Sequence, residues 1–325
     1  MFMTKQQPLL EVKNVKKYFP IKSGILKRTT GNVQAVENVS IEVYEGETLG
    51  VVGESGCGKS TFGRTVLGLE PLTAGTIKFR GQEISGLPDR QLKRFKKEMQ
   101  MIFQDPYASL NPRQRVGDAL EEAFIIHTAL SKQERQQRVR ELLVEVGLRE
   151  EYYERYPHEF SGGQRQRIGI ARAIALNPSL IVCDEAVSAL DVSVQAQIIK
   201  LLKKLQQSHQ LTYLFISHDL GVVRHVCDRV LVMYLGATAE LASSDQLYSN
   251  PLHPYTRALL SAIPRPIPGR KKERIRLQGD LPNPADYPQG CPFHTRCPLA
   301  TEQCAKVRPE WREVEEDHFV ACHEV

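Results

Sequence analysis

The segment Gly53-Glu54-Ser55-Gly56-Cys57-Gly58-Lys59-Ser60 fits the pattern G-x-x-x-x-G-K-[ST]. The chemistry of that pattern is phosphate binding. Glycines let the backbone close round an anion, successive N–H groups point inward, and the start of the next helix adds positive potential. Lys59 reaches β- and γ-phosphate oxygens, and the Ser60 hydroxyl ligates Mg2+. Such a pattern arises by chance in about 1 % of chains of this length. Here an apolar strand, Thr48 to Val52, precedes it and a helical pattern follows.

Hydrolysis also needs carboxylates that hold the metal and activate water. Leu180-Ile-Val-Cys-Asp184-Glu185 supplies them where an apolar strand ends. Asp184 is expected to hold Mg2+, directly or through water, and Glu185 to polarise the water that attacks the γ-phosphate. The plainer reading, an acidic pair capping the next helix, is outweighed only because a phosphate loop is present. Thr212 to Ser217 leads to His218, whose neutral imidazole can donate to a γ-phosphate oxygen. Gln104, after Met99 to Phe103, can contact Mg2+ or the attacking water, and it opens a helical segment through which chemistry can be coupled to motion. A second anion-binding helix start lies at Ser161-Gly162-Gly163-Gln164, where Ser161 is a capping residue type and the glycines expose N–H groups. If the two phosphate-binding ends are held apart, they share one ATP only across a head-to-tail dimer.

These residues must be positioned by a sheet. The runs Thr48 to Val52, Met99 to Phe103, Leu180 to Cys183, Thr212 to Ile216 and Arg229 to Tyr234 alternate with helical patterns. That alternation predicts a parallel sheet buried on both faces, with ligands at the strands' C-terminal ends. Residues 112–156, rich in Leu, Glu, Arg and Gln at helical spacing, read as a helical insertion. The first 45 residues alternate around Pro20 and Gly24 and read as an antiparallel flap. At 325 residues the chain exceeds what one core usually supports, so one main domain with an appendage is expected. With 41 % hydrophobic and 25 % charged residues, the composition excludes a largely disordered or fibrous chain. No apolar run reaches the ~18 residues of a membrane span, and Met1 to Lys13 lacks the apolar core of a signal peptide, so the chain is expected to stay in the cytosol. Its net charge of +5 is too weak to imply nucleic acid, and the basic run Arg270 to Arg276 reads as a solvated face.

Over about residues 9–240 the sequence resembles the ATP-binding cassette family. The phosphate loop, Gln104, Ser161 to Gln164, Asp184-Glu185, Ser188-Ala189-Leu190-Asp191 and His218 occur in that family's order and spacing. The resemblance implies a P-loop NTPase (RecA-like) α/β core with an antiparallel β flap and a helical subdomain at about 106–160. It further implies that Gly53 to Thr61 hold the phosphates, with Phe19 or Tyr18 stacked on adenine. Ser60, Gln104 and Asp184 would hold Mg2+, Ser161 to Gln164 would reach the ATP of the partner, and Ser188 to Asp191 would line the dimer seam. Two departures are visible. Phe160 stands where Leu is usual, and Ala186 where Pro commonly follows the glutamate. Neither removes a catalytic group.

Cassette ATPases that act on nucleic acid usually carry long coiled coils or tandem cassettes, which one P-loop in 325 residues does not accommodate. Tyr107 to Arg113, Tyr156 to Phe160, Val187 to Ser193 and Asn250 to Thr256 look like the second ATPase subunit of bacterial dipeptide and oligopeptide importers. That resemblance implies a paralogous ATPase partner, two membrane permease subunits and a substrate-binding protein. This chain would be peripheral at the cytoplasmic face of the inner membrane, with no direct contact to substrate or nucleic acid. A nickel importer of the same branch is the nearest rival; a soluble cassette ATPase acting on nucleic acid is a more distant one.

The remaining residues, 241–325, form an extension. Eleven of the 19 prolines lie between Pro251 and Pro309, so this stretch is expected to be mostly irregular and to need another means of holding its shape. Cys291, Cys297, Cys304 and Cys322 are spaced C-x5-C-x6-C-x17-C, without the close pairs of structural zinc, and disulfides are disfavoured in a reducing cytosol. Four thiolates can hold an iron–sulfur cluster; zinc and unligated cysteines are the alternatives. The importer ATPases that this chain resembles share Gly-Cys-x5-Cys-x6-Cys, matched by Gly290-Cys291, Cys297 and Cys304. The resemblance therefore implies a [4Fe-4S] cluster. His294, His318 and His323 are weaker substitute ligands, and Cys57 and Cys183 are assigned no chemistry.

Overall fold

A computed structural model of the chain describes residues 7–24, 28–105, 110–263 and 274–325. Parts of several sequence readings fall outside these residues: 1–6 and 25–27 of the N-terminal flap, 106–109 of the helical insertion, 107–109 of its Tyr107 motif, 264–273 of the extension, and within it 270–273 of the basic run.

In chain order the strands are β1 (Leu10–Ser23), β2 (Arg28–Val43), β3 (Thr48–Val52), β4 (Ala74–Phe79), β5 (Gln82–Glu83), β6 (Met99–Ile102), β7 (Leu180–Asp184), β8 (Thr212–Ile216), β9 (Arg229–Tyr234), β10 (Ala237–Ser243), β11 (Arg312–Glu315) and β12 (His318–Val320). The helices are α1 (Lys59–Val66), α2 (Asp89–Lys96), α3 (Val116–His127), α4 (Lys132–Glu145), α5 (Gly162–Ile174), α6 (Val192–His209), α7 (Leu220–Val226), α8 (Ser244–Ser249), α9 (Pro254–Ser261) and α10 (Glu302–Lys306). They fall into two compact units.

The first unit comprises Met1–Tyr44, Thr48–Leu87 and Ser217–Val325. It contains the expected antiparallel flap, with strand order β2-β1-β4-β5. Strand β1 runs straight through Pro20, which pairs opposite Asn32, and register shifts along the β1–β2 ladder absorb the irregularity. Its second sheet portion runs β11-β12-β10-β9-β3, where β3 lies parallel to β9 and the remaining pairs are antiparallel. Every residue of β3 is buried, as expected for a strand covered on both faces.

The extension belongs to this first unit, and it is more ordered than its prolines suggest. Pro254 sits at the first turn of α9, where a missing N–H costs nothing, and His253 caps that helix by accepting from the Tyr255 N–H at 3.0 Å. Strand β12 adds to β10, so the chain end extends a sheet. Its core is apolar: Tyr255 and Phe293 are fully buried and pack edge-on against Tyr234, while Leu252, Val320 and Cys322 form a smaller cluster. Beneath it Glu240, without exposed surface, accepts from the backbone N–H groups of Leu252 and His253 and pairs with His318 Nε2 at 2.8 Å. Apolar burial thus organises much of a segment that proline alone would leave irregular.

The second unit comprises Glu45–Glu47 and Pro88–Ile216. Its strands run parallel in the order β8-β7-β6, and all of β7 and β8 are buried. The helical insertion is present as α3 and α4, the latter started by a reciprocal capping box between Ser131 and Glu134. Phe160, the departure from Leu, is buried edge-on against Tyr152 with ring centroids 5.2 Å apart. No described helix is long and apolar enough to cross a membrane.

Candidate nucleotide site

In the first unit the phosphate loop leaves β3 at Gly53 and enters α1 at Lys59. Gly58 has φ 97°, and a Cβ there would overlap the Ala35 carbonyl; a Cβ on Gly53 would overlap the Met233 carbonyl. Both positions need glycine for handedness and for close approach of other backbone. The loop is braced from behind, since the Gly236 N–H donates to the Cys57 carbonyl at 2.8 Å. Lys59 is almost fully buried, and its Nζ donates to the carbonyls of Gly53 and Glu54, both at 2.9 Å. Ser55 and Gly56 are exposed, and Ser60 and Thr61 partly so. Burial pushes the Cys57 thiol up, so it stays a neutral space-filler.

His218 is exposed, directly after Ser217, whose N–H donates to the Val51 carbonyl at 3.1 Å. Of the two aromatic candidates for adenine, the Tyr18 hydroxyl is bonded to Glu37, which also pairs with Lys16 and Arg308. Phe19 is 36 % exposed and has no such hydroxyl, although Lys17 Nζ lies over one side of its ring, 4.5 Å from the centroid.

In the second unit Gln104 and Glu185 meet. Gln104 Nε2 donates to Glu185 Oε2 at 3.0 Å, linking the residue that opens the helical insertion to the carboxylate at the end of β7. Glu185 has φ 47°, a left-handed conformation that an L side chain adopts only at a cost of ~1–3 kcal/mol. Its N–H is anchored to the Ile216 carbonyl at 3.0 Å, so the strand ends and the carboxylate turns out. Asp184 is buried beside it, and Ala186, the second departure, is buried too. The Cys183 thiol is pushed far up by burial and cannot act as a thiolate.

Ser161 and Gln164 form a capping box at the start of α5: the Gln164 N–H donates to Ser161 Oγ at 3.4 Å and the Ser161 N–H to Gln164 Oε1 at 3.0 Å. Ser188 Oγ donates to the Glu185 carbonyl at 3.0 Å, and Asp191 caps α6 by accepting from the Val194 N–H at 3.0 Å. Ser161, Gly162, Ala189 and Asp191 are exposed. The glycine pair has a reason beyond exposed N–H groups. A Cβ on Gly163 would lie 2.6 Å from Val194 Cγ1, and one on Gly162 would lie 3.5 Å from Leu190 Cδ2. The two motifs are packed against each other.

Cys291, Cys304 and Cys322 are buried, Cys297 is partly so, and all four are free thiols. The Cys291 N–H donates to the Cys304 carbonyl at 2.8 Å. Burial raises the thiols of Cys291, to about 11, and of Cys297 and Cys322. Among the described residues no group of three or more His, Cys, Asp and Glu is arranged to hold a single metal ion. The three histidines are committed elsewhere: His294 Nδ1 to the Cys291 carbonyl, His323 Nε2 to the Val307 carbonyl, and His318 to Glu240. Two residues of the extension, Arg296, which the sequence did not mark, and Tyr255, marked only within the Asn250 to Thr256 motif, reach the phosphate loop. Arg296, in the turn between Cys291 and Cys297, pairs with Glu54 of the phosphate loop, and the Tyr255 hydroxyl accepts from the Glu54 N–H at 2.9 Å. The only prior signal for Arg296 was its place among the cysteines.

Residues 36–188 match the ABC transporter family, and residues 239–304 match the oligopeptide/dipeptide transporter C-terminal region. The oligopeptide transport ATP-binding protein AppF of Bacillus subtilis is 57 % identical over 321 residues, covering 98 % of each chain. The chain belongs to the ABC transporter family. It is an ATP-binding cassette of that family, and hence an ATPase. The di/tripeptide transport ATP-binding protein DppF of Pseudomonas aeruginosa is 52 % identical over 98 % of each chain. Among solved structures, a dimeric ATP-binding cassette in a post-hydrolysis state bound to ADP and Pi is 30 % identical, with TM-score 0.64. It covers 72 % of this chain and 98 % of that one.

Proposed function

We propose that this cassette powers import of di- or oligopeptides through separate permease subunits. The carrying observation is the 57 % identity to an oligopeptide transport ATP-binding protein over 98 % of both chains, joined by the match of residues 239–304 to the extension of such transporters. A nickel importer of the same branch has no comparable support. On this reading residues 1–240 form the nucleotide-binding domain and 241–325 the transporter-type extension. The chain works at the cytoplasmic face of the membrane beside a paralogous ATPase, two permeases and a substrate-binding protein. Ile125 and Ile126, both more than half exposed at the end of α3, give the helical insertion an apolar surface suited to a permease helix.

In the cycle, Gly53 to Thr61 wrap the phosphates of ATP, Lys59 neutralises β/γ charge, and Phe19 stacks on adenine. Ser60, Gln104 and Asp184 would hold Mg2+, which would supply neutralisation of phosphate charge. Glu185 accepts the proton of the attacking water, with Gln104 orienting it, and His218 donates to the γ-phosphate. Because Gln104 touches Glu185 and begins the insertion, a shift of the insertion would move the base. Ser161 to Gln164 address the ATP of the partner and Ser188 to Asp191 the seam, and the exposure of both motifs supports this.

The four extension thiols fit a cluster better than a single ion. They are free and mostly buried, and four thiolates are the ligand set such a cluster takes. Bound there, a [4Fe-4S] cluster supplies a structural core. The function is tested in proteoliposomes holding the permeases and both ATPases: ATP-dependent uptake of a labelled peptide that stops with Lys59→Ala supports it. Uptake of Ni2+ but of no peptide would replace the cargo, and recovery of the chain free of any membrane partner would count against a transporter.

A further inference from the structure

We propose that Arg296 and Tyr255 are positioning residues of the ATP-phosphate loop, supplied by the C-terminal extension and acting through Glu54. The Arg296 side chain is 9 % exposed and meets the Glu54 carboxylate with two parallel bonds, Nη1 to Oε2 at 2.6 Å and Nη2 to Oε1 at 3.0 Å. The hydroxyl of fully buried Tyr255 accepts from the backbone N–H of the same residue at 2.9 Å. One loop residue is thus held at its side chain and at its backbone by a segment more than 200 residues away.

Glu54 is the second residue of the phosphate loop, and its carbonyl is one of the two that take Lys59 Nζ. Holding Glu54 therefore sets where the lysine lies. Its N–H is spent on Tyr255, so the phosphate-facing donors begin at Ser55. Electrostatics points the same way. A carboxylate in a loop that receives a polyanion opposes binding unless it is neutralised, and a guanidinium fork neutralises it with fixed geometry that an ammonium does not reproduce.

The support behind these two residues is rigid. Arg296 lies 3.5 Å from the Tyr234 hydroxyl, and Tyr234, Tyr255 and Phe293 pack on one another with centroids 4.8, 5.1 and 5.3 Å apart. The turn that carries Arg296 is bounded by Cys291 and Cys297 and closed by the His294 N–H on the Cys291 carbonyl at 3.1 Å. Whatever fixes those cysteines also fixes the arginine. The link itself requires no cluster.

The test is steady-state ATPase of the assembled importer with full-length variants, with melting temperature as the fold control. Arg296→Gln is expected to raise KM for ATP by about tenfold with kcat within about twofold, because the loss is of binding and not of the hydrolytic step. Adding Glu54→Gln is expected to recover most of that loss, since the uncompensated charge goes; a purely structural arginine gives no such rescue. Arg296→Lys should fall between. An unchanged KM in Arg296→Gln at an unchanged melting temperature overturns the proposal, as does a double variant worse than the single. Where Arg296→Gln does not fold, Tyr255→Phe decides: a KM raised about threefold upholds the link, and an unchanged one overturns it. Lys59→Ala run alongside separates the causes, because no loss of ATP affinity there removes the assignment of the loop itself.

Discussion

Gly163→Ala tests why the motif at the start of α5 carries a second glycine. The added Cβ would lie 2.6 Å from Val194 Cγ1, where ordinary contact begins at 3.4 Å, so Val194 or the α5 start must move. Overpacking of this kind costs ~1–3 kcal/mol. The opposing gain is ~1 kcal/mol, because alanine is the better helix former. The net expectation is a loss of about 0–2 kcal/mol of stability, with a larger effect on turnover if Ser161 is displaced. Val194 is only partly buried, so Val194→Ala alone should cost about 0.5–1 kcal/mol. In the double variant the clash is gone. The stability loss should then be less than the sum of the singles, with a coupling of at least ~0.5 kcal/mol. Denaturant unfolding gives the stabilities and ATPase rate the functional reading. If Val194→Ala leaves both unrescued, packing is not the reason for Gly163, and close approach of a phosphate becomes the only one.

Glu185→Gln should keep ATP binding but lower turnover by ~100-fold or more and accumulate an ATP-bound dimer, read by chromatography in the presence of Mg-ATP. Lys59→Ala should weaken nucleotide binding itself, measured as Kd by calorimetry. Burial lowers His253 to about 4 from its ordinary value near 6.5, so the folded protein keeps it neutral while the unfolded chain takes up a proton. Its stabilising contribution is whole above pH ~6.5 and is lost as pH falls toward 4, about 3 kcal/mol in all. Unfolding curves across that range should be flatter for His253→Asn, which retains a helix-capping oxygen. Anaerobically prepared protein should be brown, with absorbance near ~400 nm that Cys291→Ser removes; a colourless preparation without iron ends the cluster reading.

How legible the site was depends on how local its causes are. The phosphate loop, β7 with Asp184-Glu185, and the capping Ser161 were all readable, because each is a short run whose residue types carry their own mechanism. The helical insertion was readable from its spacing. Pro20 lies inside the predicted flap, where β1 pairs with β2 alone and register shifts along that ladder accommodate the missing N–H. The need for Gly163 was only half visible, since the clash that demands it comes from another helix. The extension was least legible. Its prolines announced irregularity, yet Tyr255, Phe293 and the buried Glu240–His318 pair organise it through partners in β9 and β10, far away in the chain. For the same reason nothing in Gly53 to Ser60 foretold Arg296, 242 residues beyond Glu54.

The central claim is that this chain hydrolyses ATP with Glu185 as the base. Single-turnover phosphate release from pre-bound ATP, in the assembled importer with Glu185→Gln in this chain and the equivalent carboxylate of any second cassette also replaced, tests it most directly. The account predicts bound ATP with phosphate release slowed by ~100-fold or more. Release at the unmodified rate, with ATP still bound, would contradict it.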